Sequence, residues 1–140
     1  ELPNEKTYKQ LMLETLSLDL TRLHFTGLLP YGEYLKVLQA SSVHIYLTYP
    51  FVLSWSMLEA MSTGCLVIAS ATPPVLEVIK DGENGLLVDF FSPQQIAELV
   101  DEVFADKEKM AEIRYQARKT IVKNYDLNPL LYKHLEWMVR

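Results

Sequence analysis

The sequence predicts an α/β fold: a Rossmann-like parallel sheet with flanking helices, wound on both faces. Three observations predict it. Extended β-branched runs alternate with 3.6-residue helical patterns along the whole chain. The run Leu66-Val67-Ile68-Ala69 is almost uniformly apolar, as a strand covered on both faces of a parallel sheet must be. The 140 residues, 49% hydrophobic and 22% charged, suffice for one core but not for a second full-sized domain.

Taken in order, Glu5 to about Leu16 reads as a helix carrying Leu11, Leu13 and Leu16. Leu23-His24-Phe25-Thr26 is a short extended run closed by Gly27. Tyr34, Val37 and Leu38 then recur at i, i+3 and i+4, one apolar stripe on a helix. Val43-His44-Ile45-Tyr46-Leu47 is β-branched and aromatic, bounded by serines and Pro50, and predicts a strand. The next helix begins near Ser56 and stops at Gly64, a residue suited to the left-handed end position. After the apolar strand, residues 72–79 predict a loop with one or two helical turns. Asp81-Gly82-Glu83-Asn84-Gly85 is turn chemistry, and Gly85-Leu86-Leu87-Val88 is the last strand.

Ser92-Pro93-Gln94-Gln95 predicts a helix start, with Ser92 as N-cap, Pro93 first in the helix and Gln95 reaching back. Ile96, Leu99, Val100, Val103 and Phe104 form its apolar face. Asp106 caps a further helix carrying Met110, Ile113, Ala117 and Ile121. Asn128-Pro129 starts a final one with Leu131, Leu135 and Met138 on one side. About four strands result, and the first helix has no strand before it, so the sheet reads as cut at its N-terminal side. The edge left uncovered is expected to let isolated chains self-associate. The chain also opens without Met, which reads as a piece of a longer protein, a single partial domain over residues 1–140.

A net charge of −5 and a pI near 5.2 argue against a nucleic-acid partner, whose phosphates demand a basic face. Cys65 is the one cysteine, so neither a disulfide framework nor a thiolate metal cluster is expected. His24, His44 and His134 lack zinc-helix spacing, and nothing in the sequence requires a metal or other cofactor. No apolar run approaches the ~18–20 residues of a membrane span. The N-terminus lacks a signal-peptide layout, and a reducing, cytoplasmic setting is the expectation. A peripheral membrane position of the full-length protein stays open.

In open α/β sheets ligands bind beyond the carboxyl ends of the strands, against the start of a following helix. The strand at 43–47 leads through residues 48–55 into the helix carrying Glu59. Backbone N–H groups near residues 54–57 would therefore face a diphosphate, and Glu59, one turn in, would accept hydrogen bonds from a ribose diol. Ser56 and Glu59 equally have the S-x-x-E spacing of a capping box, in which Glu59 only satisfies a backbone N–H. Both readings fit the residues.

The stretch Ser56-Met57-Leu58-Glu59-Ala60-Met61-Ser62-Thr63-Gly64-Cys65-Leu66-Val67-Ile68-Ala69-Ser70 resembles the helix–strand signature of retaining glycosyltransferases of the group 1 type, which have the GT-B fold. The likeness continues in Leu23-His24-Phe25-Thr26-Gly27 and from Glu77 through Val88, in the family's order and spacing, over essentially the whole chain. It implies an incomplete C-terminal, donor-binding domain of a GT-B enzyme, whose N-terminal domain and first strands are absent. The enzyme would move a glycosyl group from a nucleoside diphosphate sugar to an acceptor. By resemblance, Glu59 matches the second Glu of the family's E-x7-E motif and would hold the ribose hydroxyls. Ser54, Trp55 and Ser56 fall where family members offer amides to the donor's sugar and phosphate. Leu28 and Leu29 match a stretch that touches the base.

Phe51 stands where the first Glu of that motif belongs, and Phe cannot accept a hydrogen bond, so sugar recognition is rearranged or activity altered. Ser54 replaces a usual Gly, and Leu76 stands where a Pro often precedes the position of Glu77. The family's upstream Arg and Lys, which neutralise the diphosphate, fall outside this chain, and the piece alone is expected to be inactive. Phe51 keeps a second class of function in play, a non-catalytic binding or assembly module. A sugar-nucleotide epimerase on the same two-domain fold is a further alternative, since fold does not fix reaction.

Other side chains have plainer readings beside their functional ones. Tyr46, Tyr49, Phe51 and Trp55 could stack on a sugar, but aromatics in and after a strand are commonly core or domain-contact residues. Glu98, Asp101 and Glu102 read as a solvated acidic face. His24 and His44 read as satisfied strand residues, Cys65 as a small buried one, and Gly82 and Gly85 as turn glycines.

Overall fold

The computed structural model describes residues 6–49 and 52–139 and divides the chain into two units, Glu1–Pro30 and Tyr31–Arg140. In the first unit, α1 (Tyr8–Thr15) opens on a full capping box. Gln10 N–H donates to Thr7 Oγ1, and Thr7 N–H donates to the Gln10 side chain at 2.8 Å. The helix is shorter than the pattern from Glu5 to Leu16 predicts, and Glu5 itself lies outside the described residues. A 3₁₀ turn at Leu20–Arg22 follows, capped by Asp19. The predicted strand at residues 23–26 joins no ladder. Phe25 stays largely exposed and takes the Lys9 ammonium over its ring at 3.8 Å. Without a partner strand, extended backbone remains solvated coil.

The second unit carries α2 (Tyr31–Ala40), β1 (Val43–Tyr46), α3 (Trp55–Thr63), β2 (Leu66–Ser70), α4 (Pro73–Leu76), β3 (Leu86–Val88), α5 (Pro93–Ala105), α6 (Lys107–Tyr125) and α7 (Leu127–Met138). The described strands form one parallel sheet of three, in the order β1-β2-β3, with Val43 beside Leu66 and Ile68 beside Leu86. Every residue of β2 is buried, as its unbroken apolar run requires of the central strand.

Alternation along the strands splits the core in two. On one face, Tyr46, Val67 and Ala69 pack with Leu38, Met57, Ala60, Met61, Ala117 and Ile121. On the other, Leu66, Ile68, Leu86 and Val88 pack with Val103, Met110 and Ile113. All four predicted apolar positions of α6 are buried, and this helix serves both clusters. On α5 Val103 is buried and Phe104 is exposed, at the margin of the stripe.

Ser92 caps α5 as its sequence predicts. Gln95, however, does not return to the cap: its side chain accepts the Asp89 N–H at 3.0 Å, bracing the exit of β3. The last helix begins at Leu127, one residue ahead of Asn128-Pro129, because Asp126 is its N-cap and Asp126 Oδ1 accepts the Asn128 N–H at 2.9 Å. None of its residues is buried within the unit. Gly85 is fixed by close approach and not by positive φ: a Cβ there would stand 2.9 Å from Ile79 Cγ2.

Candidate functional site

β1 ends at Tyr46 and the chain leads on to the start of α3, so both lie at the carboxyl edge of the sheet. Ser70, the last residue of β2, ties this edge together. Its Oγ accepts the Thr48 N–H at 3.0 Å and donates to Thr48 O at 2.9 Å. From β1, the buried Tyr46 ring sends its hydroxyl up to accept the Ser54 N–H at 2.9 Å.

That contact decides where α3 starts. Ser54 is held extended (φ −81°, ψ 143°) and becomes the N-cap, its Oγ accepting the Ser56 N–H at 3.3 Å. The predicted Ser56–Glu59 capping box is thereby overturned: Ser56 already lies inside the helix and Glu59 is a turn further in. Ser54 Oγ and Ser56 Oγ stand 3.1 Å apart on the open end. Since the Ser54 and Ser56 amides are engaged, the expected row of free donors narrows. Of these three residues it is the Trp55 N–H that finds no partner among the described residues. The Trp55 side chain is 78% exposed.

Glu59, half-buried, faces α2. Only Ser41 and Ser42 separate α2 from β1, which sets the C-terminus of α2 at the amino edge of the sheet and Tyr31 at the carboxyl edge. Glu59 raises the Tyr31 phenol above its ordinary range, chiefly through hydrogen bonding, with desolvation and charge repulsion adding. The Tyr34 phenol is pushed up to about 12, first by burial and then by the Glu59 charge, its hydrogen-bonding approach and Tyr31. Even so, Tyr34 Oη is buried with no hydrogen-bond partner among the described residues. The Glu59 carboxylate perturbs it without a formed hydrogen bond between them. The Tyr31 and Tyr34 rings lie 6.2 Å apart, tilted by 36°.

Ser54, Trp55, Ser56 and Glu59 thus come together on the first two turns of α3. Leu28 and Leu29 belong to the other unit, where Leu28 is wholly exposed and Leu29 half-buried. Phe51 and Pro50 lie outside the described residues. Tyr46 is core, whereas Tyr49 joins an edge-to-face cluster at the exits of β1 and β3. Its ring lies 5.5 Å from Phe90 and 5.8 Å from Phe91.

The remaining candidates sort by burial and charge. Glu102 pairs with Lys109 at 2.6 Å and Glu98 accepts from Gln94, a solvated face as expected. Cys65 is fully buried, and desolvation raises its thiol against the opposing pull of Arg114, the setting of an inert cysteine. The histidines depart from expectation. His24 is exposed outside any strand, and His44, on β1, has a buried Nε2 without a partner among the described residues. Desolvation lowers its pKa, so neutral imidazole is the favoured form. Among the described residues no cluster of His, Cys, Asp or Glu could hold a metal ion, and no helix is long and apolar enough to cross a membrane.

Sequence reasoning missed two supports of this site. Tyr34 read as an ordinary member of an apolar stripe and Tyr31 was not singled out, though their i, i+3 spacing was the available signal. Arg114 and Arg118 had none. From α6 they donate to carbonyls at the far end of α3, Arg114 Nε to Gly64 O at 2.7 Å and Arg118 to Ser62 O.

A parallel sheet with helices on both faces and a helix start at its carboxyl edge defines a Rossmann-type unit, the class in which ligands bind at that edge. The chain belongs to the family Glycosyl transferases group 1, whose model matches residues 3–120. An uncharacterized glycosyltransferase of Methanocaldococcus jannaschii is 35% identical over 75 residues, 53% of this chain and 19% of that protein. The chain therefore matches about a fifth of the length of this curated relative. The C-terminal domain of a group 1 family glycosyltransferase, LpcC, of Francisella tularensis superposes with a TM-score of 0.68 at 26% identity, covering 74% of this chain and 53% of that one. HepE of Anabaena, solved with UDP-glucose, superposes with a TM-score of 0.71 over 74% of this chain and 29% of its own. At 21% identity that likeness speaks to fold alone. The fold is that of the C-terminal domain of GT-B glycosyltransferases.

Proposed function

We propose that this chain is the donor-binding part of a retaining group 1 glycosyltransferase, one that moves a glycosyl group from a nucleoside diphosphate sugar to an acceptor. The observation that carries the reading is the position of Glu59: a carboxylate at the sheet's carboxyl edge, one turn inside a helix whose start presents the Trp55 N–H and the Ser54 and Ser56 hydroxyls. The hydroxyls and the amide suit phosphate oxygens at the positive end of a helix. The carboxylate suits a vicinal diol, with each hydroxyl donating to it. HepE, a relative in fold, was solved with UDP-glucose, which makes a uridine diphosphate sugar the first donor to try. Leu28 and Leu29 would touch the base. The group that completes the diphosphate site, and the domain that holds the acceptor, would come from other parts of a longer protein, so this chain alone would be inactive.

Calorimetry with UDP, GDP and ADP on the longer protein tests the reading. Glu59→Ala should weaken the best of the three by about 1.5–3 kcal/mol, the worth of charge-assisted bonds. Unchanged affinity with a lower melting temperature would return Glu59 to a structural role. Phe51, in place of the family's first Glu, favours one second reading, a non-catalytic binding module. Turnover of a sugar nucleotide by the full-length protein would eliminate it.

A further inference from the structure

A buried hydroxyl without a partner is costly, and where one persists it calls for a reason. Tyr34 Oη is such a group. Its ring is packed against the core cluster of the α2–α3 face, so it has little freedom to turn away. The nearby acceptor that perturbs it is Glu59, which α3 presents from the neighbouring helix. Tyr31, one turn earlier on α2, faces the same carboxylate from the exposed side.

We infer that Tyr34 is a positioning residue for Glu59: its hydroxyl donates to one carboxylate oxygen when a ligand is bound, which turns the other oxygen toward the ribose hydroxyls. The inference rests on the donor-site reading of Glu59. Its logic is that of orientation. A carboxylate free to rotate about its last torsion meets a diol in many wrong geometries, whereas one clamped by a fixed phenol meets it in one. The phenol suits the task because it remains protonated at working pH and can only be a donor toward a carboxylate. A carboxylate held this way also discriminates. A nucleotide lacking the 2′-hydroxyl leaves the oriented oxygen with one donor instead of two, and the site rejects it more strongly than an unoriented one would.

The test is a mutant cycle in the full-length protein, read by calorimetry with UDP, GDP and ADP and the 2′-deoxy counterpart of each. Tyr34→Phe keeps the ring and its packing and removes only the hydroxyl. It should weaken the preferred ribonucleotide about 3- to 10-fold while affecting its deoxy counterpart less, so that the ribo/deoxy ratio shrinks. In the Glu59→Ala background the same change should have no further effect. Equal weakening of both nucleotides, no weakening, or an undiminished effect without Glu59 would each overturn the positioning role. If Glu59→Ala itself leaves affinity unchanged, or none of the three nucleotides binds, the donor-site reading falls as well. A Glu59 effect without a Tyr34 effect would sink the inference alone.

Discussion

At its C-terminal end α3 is tied down by groups remote in sequence, while at its N-terminal end it is held by near neighbours and partly left open. Arg114 and Arg118, separated by 50 and 56 residues from their acceptors, reach the carbonyls of Gly64 and Ser62. Gly64 takes the left-handed conformation (φ 79°), and the Cys65 N–H returns to Ala60 O at 2.9 Å. The other end has Ser54 Oγ as its cap and the Tyr46 hydroxyl beneath it, with Trp55 and the two serine hydroxyls facing outward. A helix anchored from behind can leave donors unpaired in front without fraying. That asymmetry is what a ligand-binding helix start needs.

The anchoring can be broken at three depths. Met61 lies fully buried near the anchored end, and Met61→Ala should cost about 2–5 kcal/mol in urea unfolding, the cost of a core cavity. A smaller loss would mean that the core closes over the gap and that α3 is less firmly seated than its burial says. Arg114→Ala removes a charged donor from a part-buried carbonyl and should cost about 1.5–3 kcal/mol, with faster hydrogen exchange in the last turn of α3. Ser54→Ala should cost least, about 1 kcal/mol, with faster exchange confined to the first turn. Should the serine prove more costly than the arginine, the contrast between the two ends would be reversed.

Much of this architecture was legible in the residues. β1, β2 and β3, the Gly64 stop, the Asp106 cap and the four buried positions of α6 follow from periodicity and cap chemistry, which act within a few residues. Failures came where a group outside the local cap or strand pattern intervened. Ser56 looked like a cap until the Tyr46 hydroxyl fixed Ser54 instead. Gln95 looked like half of a capping box until the Asp89 N–H claimed it. Residues 23–26 looked like a strand, and a strand needs a neighbour that no pattern within four residues can supply.

By itself, then, the sequence determined the alternation of helices and strands, the all-buried β2 and the family to which the chain belongs. Local backbone preference, side-chain period and motif spacing carry that information. Tertiary structure alone decided that Glu59 faces two phenols of α2 instead of its own helix start, and that two arginines of α6 hold the far end of α3. Those pairs are far apart along the chain. Their meeting depends on how whole helices pack, a property of the assembled core that no local stretch of residues encodes.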